Sequence, residues 1–281
     1  MSKYLPIFLS RWRKRGLPAL LALAIALAII VTGVPSYGFS WRDLLLQGIQ
    51  VIQLSNLSDQ QEVGLGRQIN QQIATQVPIS RNAALNGYIN QIGQRLVMKS
   101  DRPRLNFTFQ VVDDRNINAF ATMGGFVYVN TGLITTAQNE AELASVIAHE
   151  IGHVTGRHAI QQMRQQAISQ GVLSAAGINQ SAAVQIGVDL AIRRPNSRSD
   201  ELEADRFGLS NLRQANYAPI AMVTFMQKLL AQGGSGPAFL STHPATSERI
   251  RLLQQQIDPQ TASVGDGLDK QAYAATVRKL L

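Results

Sequence analysis

Five consecutive residues, His149-Glu150-Ile151-Gly152-His153, bring together the side chains a hydrolytic metal site needs. Side chains four apart share one face of a helix, so the two imidazoles would sit one turn apart with a carboxylate beside them. Two neutral imidazole nitrogens so placed can share one Zn²⁺ while the glutamate reaches the water on the metal. Zinc lowers the pKa of that water from about 15.7 to near 7, which brings it within reach of a carboxylate of ordinary basicity. Glu150 is therefore read as the general base, and no protein nucleophile is required. A hydrolytic centre also needs a third protein ligand and an open fourth position. Residues 197–208 read Ser-Arg-Ser-Asp-Glu-Leu-Glu-Ala-Asp-Arg-Phe-Gly, which puts Glu201 and Asp205 at i and i+4 on one helical face. Glu201 is read as the third ligand, with one Zn²⁺ per chain. Asp205 is read as the acceptor of a ligating imidazole's free N–H, a bond that fixes its tautomer.

The pentapeptide lies in a segment with helical credentials. Asn139 followed by Glu142 has the form of an N-cap with its capping-box partner, and Ala144, Ile147, Ala148, Ile151 and Val154 supply an apolar stripe. Upstream, residues 118–122 and 126–130 are strand-like, and Met123-Gly124-Gly125 can turn between them with glycines at positive φ. An edge strand of such a hairpin, set beside a zinc cleft, can hold an extended peptide by adding it as another strand.

The HEIGH run followed by SRSDELEADRFG resembles the gluzincin metallopeptidases of family 48, the group that includes the HtpX, BepA, Oma-type and prenyl-protein CAAX peptidases. The resemblance implies that His149, His153 and Glu201 bind zinc, that Glu150 is the catalytic base, and that Asp205 is the aspartate of an ExxxD motif. Residues 118–133 are similar to the family's segment before the zinc helix, and the resemblance extends over roughly residues 58–257. His243-Pro244-Ala245-Thr246-Ser247-Glu248-Arg249 resembles the family's HP segment, whose histidine and arginine approach the active site. Two roles stay open. Arg249 or His243 can stabilise an oxyanion, or His243 can take the open zinc position and hold the enzyme shut. BepA-like members also carry a C-terminal repeat array for partner binding; the stretch after Arg249 is too short for one, which argues against an assembly-factor role.

The chain has four histidines, and three fall within these motifs. The fourth, His158, lies nine residues after His149 and therefore about 180° around the helix from it, so it is expected to be solvent-facing or structural.

Lys3, Arg11, Arg13, Lys14 and Arg15 precede an uncharged apolar run over residues 17–34, the pattern of an export signal or signal anchor. Residues 1–38 are read as that leader and residues 39–281 as one catalytic domain, exported and either periplasmic or tethered to the membrane if the leader is uncleaved. With no cysteine, the chain can form neither a disulfide nor a lipoprotein thioether anchor. The formal charge of +8 does not indicate nucleic acid, because those five basic residues leave only +3 on the remainder.

About 240 residues beyond the leader suffice for one core. Ser58 with Gln61 has the form of a capping box opening a glutamine-rich helix to about Gln76, and residues 86–98 place Tyr88, Ile89, Ile92 and Leu96 at helical spacing. Residues 104–112 alternate as a strand, and residues 246–257 read as a helix with Ile250, Leu253 and Ile257 on one face, after a loop at 233–237. Residues 172–192, rich in small and β-branched residues and weakened by Gly171, Gly177 and Gly187, read as a lid over the cleft or a plain buried helix. The expected class is α+β: a mostly helical zincin-type domain with a small sheet beside the HExxH helix. The substrates implied are polypeptides, extended or unfolded segments of envelope proteins in protein quality control. The alternative is a latent or non-catalytic chaperone-like binding module that retains the zinc site.

Overall fold

Ser58 completes the capping box: its hydroxyl accepts from the Gln61 N–H while the Gln61 carboxamide accepts from the Ser58 N–H, satisfying two otherwise free donors. The computed structural model describes residues 51–174, 177–231, 238–244 and 247–281, all within one compact unit. The expected leader over residues 1–38 and the loop at 233–237 lie outside the described residues.

A short strand β1 (Val51–Ile52) leads to helix α1 (Asp59–Ile73), which ends three residues before the expected Gln76. Helix α2 (Ala83–Val97) starts earlier than the apolar spacing suggested, because the Asn82 side chain caps it by accepting from the Leu85 N–H. Then come β2 (Thr108–Val112), β3 (Ala119–Thr122), a single 3₁₀ turn (Met123–Gly125) and β4 (Phe126–Asn130). The β3–β4 hairpin forms as expected, with Gly124 and Gly125 at φ 76° and 89° in its turn. Helix α3 (Thr131–Thr136) leads into α4 (Glu140–Thr155), which carries the HExxH residues. Asn139 caps α4 by accepting from the Glu142 N–H, while the Glu142 carboxylate accepts from the Gln138 N–H. The chain continues through α5 (His158–Ser169), β5 (Ile178–Asn179), α6 (Gln180–Arg193), α7 (Arg198–Gln214), α8 (Ile220–Ala231), α9 (Ala238–Thr242), α10 (Ser247–Gln256) and α11 (Lys270–Leu280). Among the described residues, no helix is long and apolar enough to cross a membrane.

The sheet is small and mixed, in the order β2-β4-β3, with β4 parallel to β2 and antiparallel to β3. Central β4 is buried on both faces, and its pleat splits the core. Val127 and Val129 face a large cluster with Ile89, Ile147 and Leu212, while Phe126 and Tyr128 face a smaller one with Ile69, Met163 and Ile186. The α+β class is as the sequence implied. Helix α4 runs through the larger cluster with every residue from Ala141 to Val154 buried, so its polar side chains must find partners inside the protein rather than in water.

Candidate metal and active site

Two helices must touch to build this site, and glycine lets them. A Cβ on Gly152 of α4 would lie 2.6 Å from the Ala204 carbonyl oxygen of α7, and one on Gly208 would lie 3.1 Å from the His149 backbone nitrogen. Backbones this close put Glu201 and Asp205, one turn apart on α7, opposite His149 and His153, one turn apart on α4.

The ligand atoms converge. His149 Nε2 and His153 Nε2 are 3.1 Å apart, Glu201 Oε1 lies 3.2 Å from His153 Nε2, and Glu201 Oε2 lies 3.4 Å from His149 Nε2. His243, brought in by the turn after α9, sets its Nδ1 3.4 Å from His149 Nε2 and 3.1 Å from Glu201 Oε1. Ligands at about 2.0–2.1 Å around a tetrahedral ion would be separated by about 3.3 Å. The four side chains, each buried, are thus a group that could hold a metal ion. Imidazole nitrogens facing one another at this distance share either a proton or a cation, and both carboxylate oxygens of Glu150 are buried without a hydrogen-bond partner among the described residues. The donor set of imidazoles and carboxylate suits zinc.

Behind the ligands lies a second layer of side chains. Asp205 Oδ1 sits 3.0 Å from His149 Nδ1, the position the spacing predicted. Arg249, buried at the start of α10, donates from Nε to Asp205 Oδ2 at 2.7 Å and from Nη2 to Asp205 Oδ1 at 2.6 Å, pairs with Glu201 through Nη1, and donates to the Pro244 carbonyl at 2.9 Å. All seven expected site residues, His149, Glu150, His153, Glu201, Asp205, His243 and Arg249, are brought together. Arg249 faces the carboxylates behind the ligands.

Burial and charge pull these groups apart in acidity. Burial pushes His149 down, but Glu201 and Asp205 outweigh it and leave its pKa raised to about 9. His153 has the same burial beside charged His149 and is lowered to about 3. Glu201 and Asp205 are held below the usual carboxylate range despite burial, Glu201 by the facing imidazoles and Asp205 by Arg249 and His149. Glu150 goes the other way: burial raises it, only partly offset by His243 and His149.

A narrow cleft of about 40 Å³ runs from Glu150, His153 and His243 along the edge strand β3, at Phe120 to Met123. Helix α6 packs across β3 and contributes Gly187, Leu190 and Ala191 to the cleft.

Two neighbours, His158 and Asn196, were not foreseen. His158 is not solvent-facing: it is 1 % exposed, with Nδ1 2.9 Å from His153 Nδ1 and Nε2 3.2 Å from Glu203 Oε2. The half-turn argument failed because α4 stops at Thr155 and Arg157, at φ 56°, reverses the chain before α5. Gly156 was the available signal for that stop. Asn196, between α6 and α7, sets Nδ2 3.2 Å from His243 Nδ1 and takes the Thr242 carbonyl through its backbone N–H at 2.9 Å.

The profile described as Peptidase family M48 matches residues 83–257, the span that holds every one of these side chains. The chain belongs to this family. It is 35% identical to a putative beta-barrel assembly-enhancing protease of Vibrio cholerae, over 73% of this chain and 46% of that protein. It is 33% identical to the mitochondrial metalloendopeptidase OMA1 of Schizosaccharomyces pombe, over 60% of this chain and 52% of the relative, and 27% identical to the metalloprotease LoiP of Escherichia coli, over 84% and 96%. The chain spans about half the length of the first two. The shared M48 domain is that of a metalloendopeptidase.

Proposed function

We propose that this chain is an exported zinc endopeptidase that cuts extended segments of unfolded or misassembled envelope proteins. The observation carrying the reading is Glu150: a buried carboxylate with no hydrogen-bond partner among the described residues, beside the converging His149, His153 and Glu201 and at the head of a cleft bordered by an edge strand. Export and the envelope setting rest on the basic and apolar leader pattern and on the relatives of the assembly-enhancing kind.

His149, His153 and Glu201 would hold the ion. When bound, zinc supplies a Lewis acid for the scissile carbonyl and brings an attacking water towards neutral acidity. Glu150, raised by burial, takes the proton at a carboxylate oxygen and passes it to the leaving amine. Asp205, with Oδ1 3.0 Å from His149 Nδ1, is placed to hold that ring so that Nε2 faces the ion. Arg249, bound to Asp205 and Glu201, holds those carboxylates in place and is a positioning residue. The outer edge of β3, which pairs with no further strand among the described residues, would align the substrate backbone as an added strand.

His243 favours a second, compatible reading. Its ring sits within the ligand group and lies 3.5 Å from Glu150 Oε1, where it would exclude water and substrate. The resting protein is then latent, and a chaperone-like binding module is the limiting case in which latency is never relieved.

Casein cleavage by the full chain as wild type, Glu150→Gln and His243→Ala, with zinc measured in each, tests both readings. Wild-type or His243→Ala cleavage that vanishes on adding Glu150→Gln supports the peptidase, and a gain in His243→Ala supports latency. One zinc per chain without cleavage by either protein would leave the binding module.

A further inference from the structure

The two histidines of the zinc motif are backed in different ways. His149 Nδ1 meets a carboxylate, Asp205, itself clamped by Arg249. His153 Nδ1 meets another imidazole, that of His158 at 2.9 Å, and His158 Nε2 in turn meets Glu203 Oε2 at 3.2 Å. Glu203 Oε1 accepts from Arg206 at 3.2 Å, so the line ends at a charge-paired group near the surface.

Only one arrangement of protons satisfies this line. His153 turns Nε2 towards His149 and Glu201, so on the metal-centre reading its proton must reside on Nδ1. His158 Nδ1 must then accept, which puts the His158 proton on Nε2, where Glu203 accepts it. The backbone is shaped for this. Arg157 takes a left-handed conformation at φ 56°, so that α5 begins with His158 pointing back at α4. Gly156 makes room: a Cβ there would lie 2.3 Å from His158 Nε2. The ring is buried, and His153 and Glu203 are the polar partners of its nitrogens among the described residues.

We infer that His158, supported by Glu203, is a positioning residue for the zinc site that fixes the tautomer and orientation of His153 by accepting its Nδ1 proton. This rests on the metal-centre reading and assigns to the second motif histidine what Asp205 does for the first. Loss of such an outer partner costs about 10- to 100-fold in metal affinity.

The test uses the zinc-loaded full chain and reads transfer of zinc to a competing chelator, the absorption spectrum of the cobalt-substituted protein, and thermal unfolding of the metal-free form. His158→Phe keeps a ring but offers no acceptor; His158→Asn puts a carbonyl oxygen where Nδ1 stood; Glu203→Leu removes only the far end. The inference expects His158→Phe to lose zinc about 10- to 100-fold more readily with an altered cobalt spectrum, His158→Asn to recover most of the affinity, and Glu203→Leu to show a smaller loss in the same direction. Wild-type affinity in His158→Phe overturns it, as does a loss in His158→Asn equal to that in His158→Phe, which would mark a packing role. Should either His158 variant fail to fold, Glu203→Leu decides, and an unchanged affinity there overturns the inference. Wild-type chain that takes up no zinc overturns the metal centre itself along with this inference, whereas the other adverse results leave the metal centre standing.

Discussion

The floor of the cleft and its roof are both helical, yet they are built on opposite principles. The floor is the α4–α7 contact, where Gly152 and Gly208 let two backbones touch and Arg249 ties Asp205 and Glu201 together out of water. The roof is α6, which rests on β3 and on the smaller cluster through Ile186 and Gly187. Two glycines at positive φ precede it, Gly171 at 67° and Gly177 at 118°. Four ligand atoms around one ion tolerate little error, so the floor is closed by charge and backbone contact. A cleft that admits a peptide must open, and the roof is held by apolar side chains that can part and re-form.

The largest effect expected from breaking the floor comes from Arg249. Arg249→Met takes from two buried carboxylates the guanidinium that bridges them and leaves His149 to offset their charge, a loss of about 3–5 kcal/mol in denaturant unfolding of the metal-free chain. Bound zinc should recover part of it by neutralising Glu201. A loss below about 1 kcal/mol would mean the carboxylates find other partners and the floor is less closed than its geometry indicates.

Gly152→Ala follows. Its methyl would collide with the Ala204 carbonyl of α7, and backbone cannot swing aside as a side-chain tip can. Overpacking of this kind costs about 1–3 kcal/mol and would draw Glu201 away from His149 and His153, so zinc content should fall with the unfolding midpoint. Full zinc occupancy in Gly152→Ala would show that the helices can separate without disturbing the ligands.

The floor was legible in the sequence and the roof only partly. The i, i+4 spacing of His149 with His153 and of Glu201 with Asp205 fixes faces on helices, and the chemistry of a metal fixes which faces must meet. His243 and Arg249 were legible only through resemblance, since no local periodicity brings residues 94 positions apart together. His158 was misread because periodicity was carried through Gly156, where the helix in fact stops. The early start of α2 was missed for a related reason: the apolar stripe marks the buried face, while Asn82 and its cap mark the end. Whether residues 172–192 form a lid or a buried helix was undecidable, because Gly187 weakens a helix in isolation yet here provides close approach to Ile69.

That approach supplies a probe of the roof. A Cβ on Gly187 would lie 2.4 Å from Ile69 Cδ1, so Gly187→Ala should lift α6 from the cleft while changing global stability by less than about 1 kcal/mol, since the obstacle is a movable methyl. Faster amide exchange across residues 180–193 and faster cleavage of an extended peptide are expected. Exchange as slow as that of α4 in both proteins would make α6 part of the fixed core and remove the contrast between floor and roof.

The smallest effect lies within the floor and follows from His149. Its pKa in the metal-free chain, about 9, lies above the value near 6.5 of an unfolded histidine. The charge therefore stabilises the metal-free fold fully below about pH 6.5, and this contribution is lost as pH rises through about 9. His153, lowered to about 3, is already neutral at pH 7 and has no proton to lose. Zinc takes the place of the His149 proton, so binding at pH 7 should release about one proton per chain into a dilute indicator buffer, and zinc affinity should rise roughly tenfold per pH unit until about pH 9. Release of no proton would mean that the paired carboxylates do not hold His149 charged in the absence of metal, and that the floor waits for its cation as unbalanced negative charge.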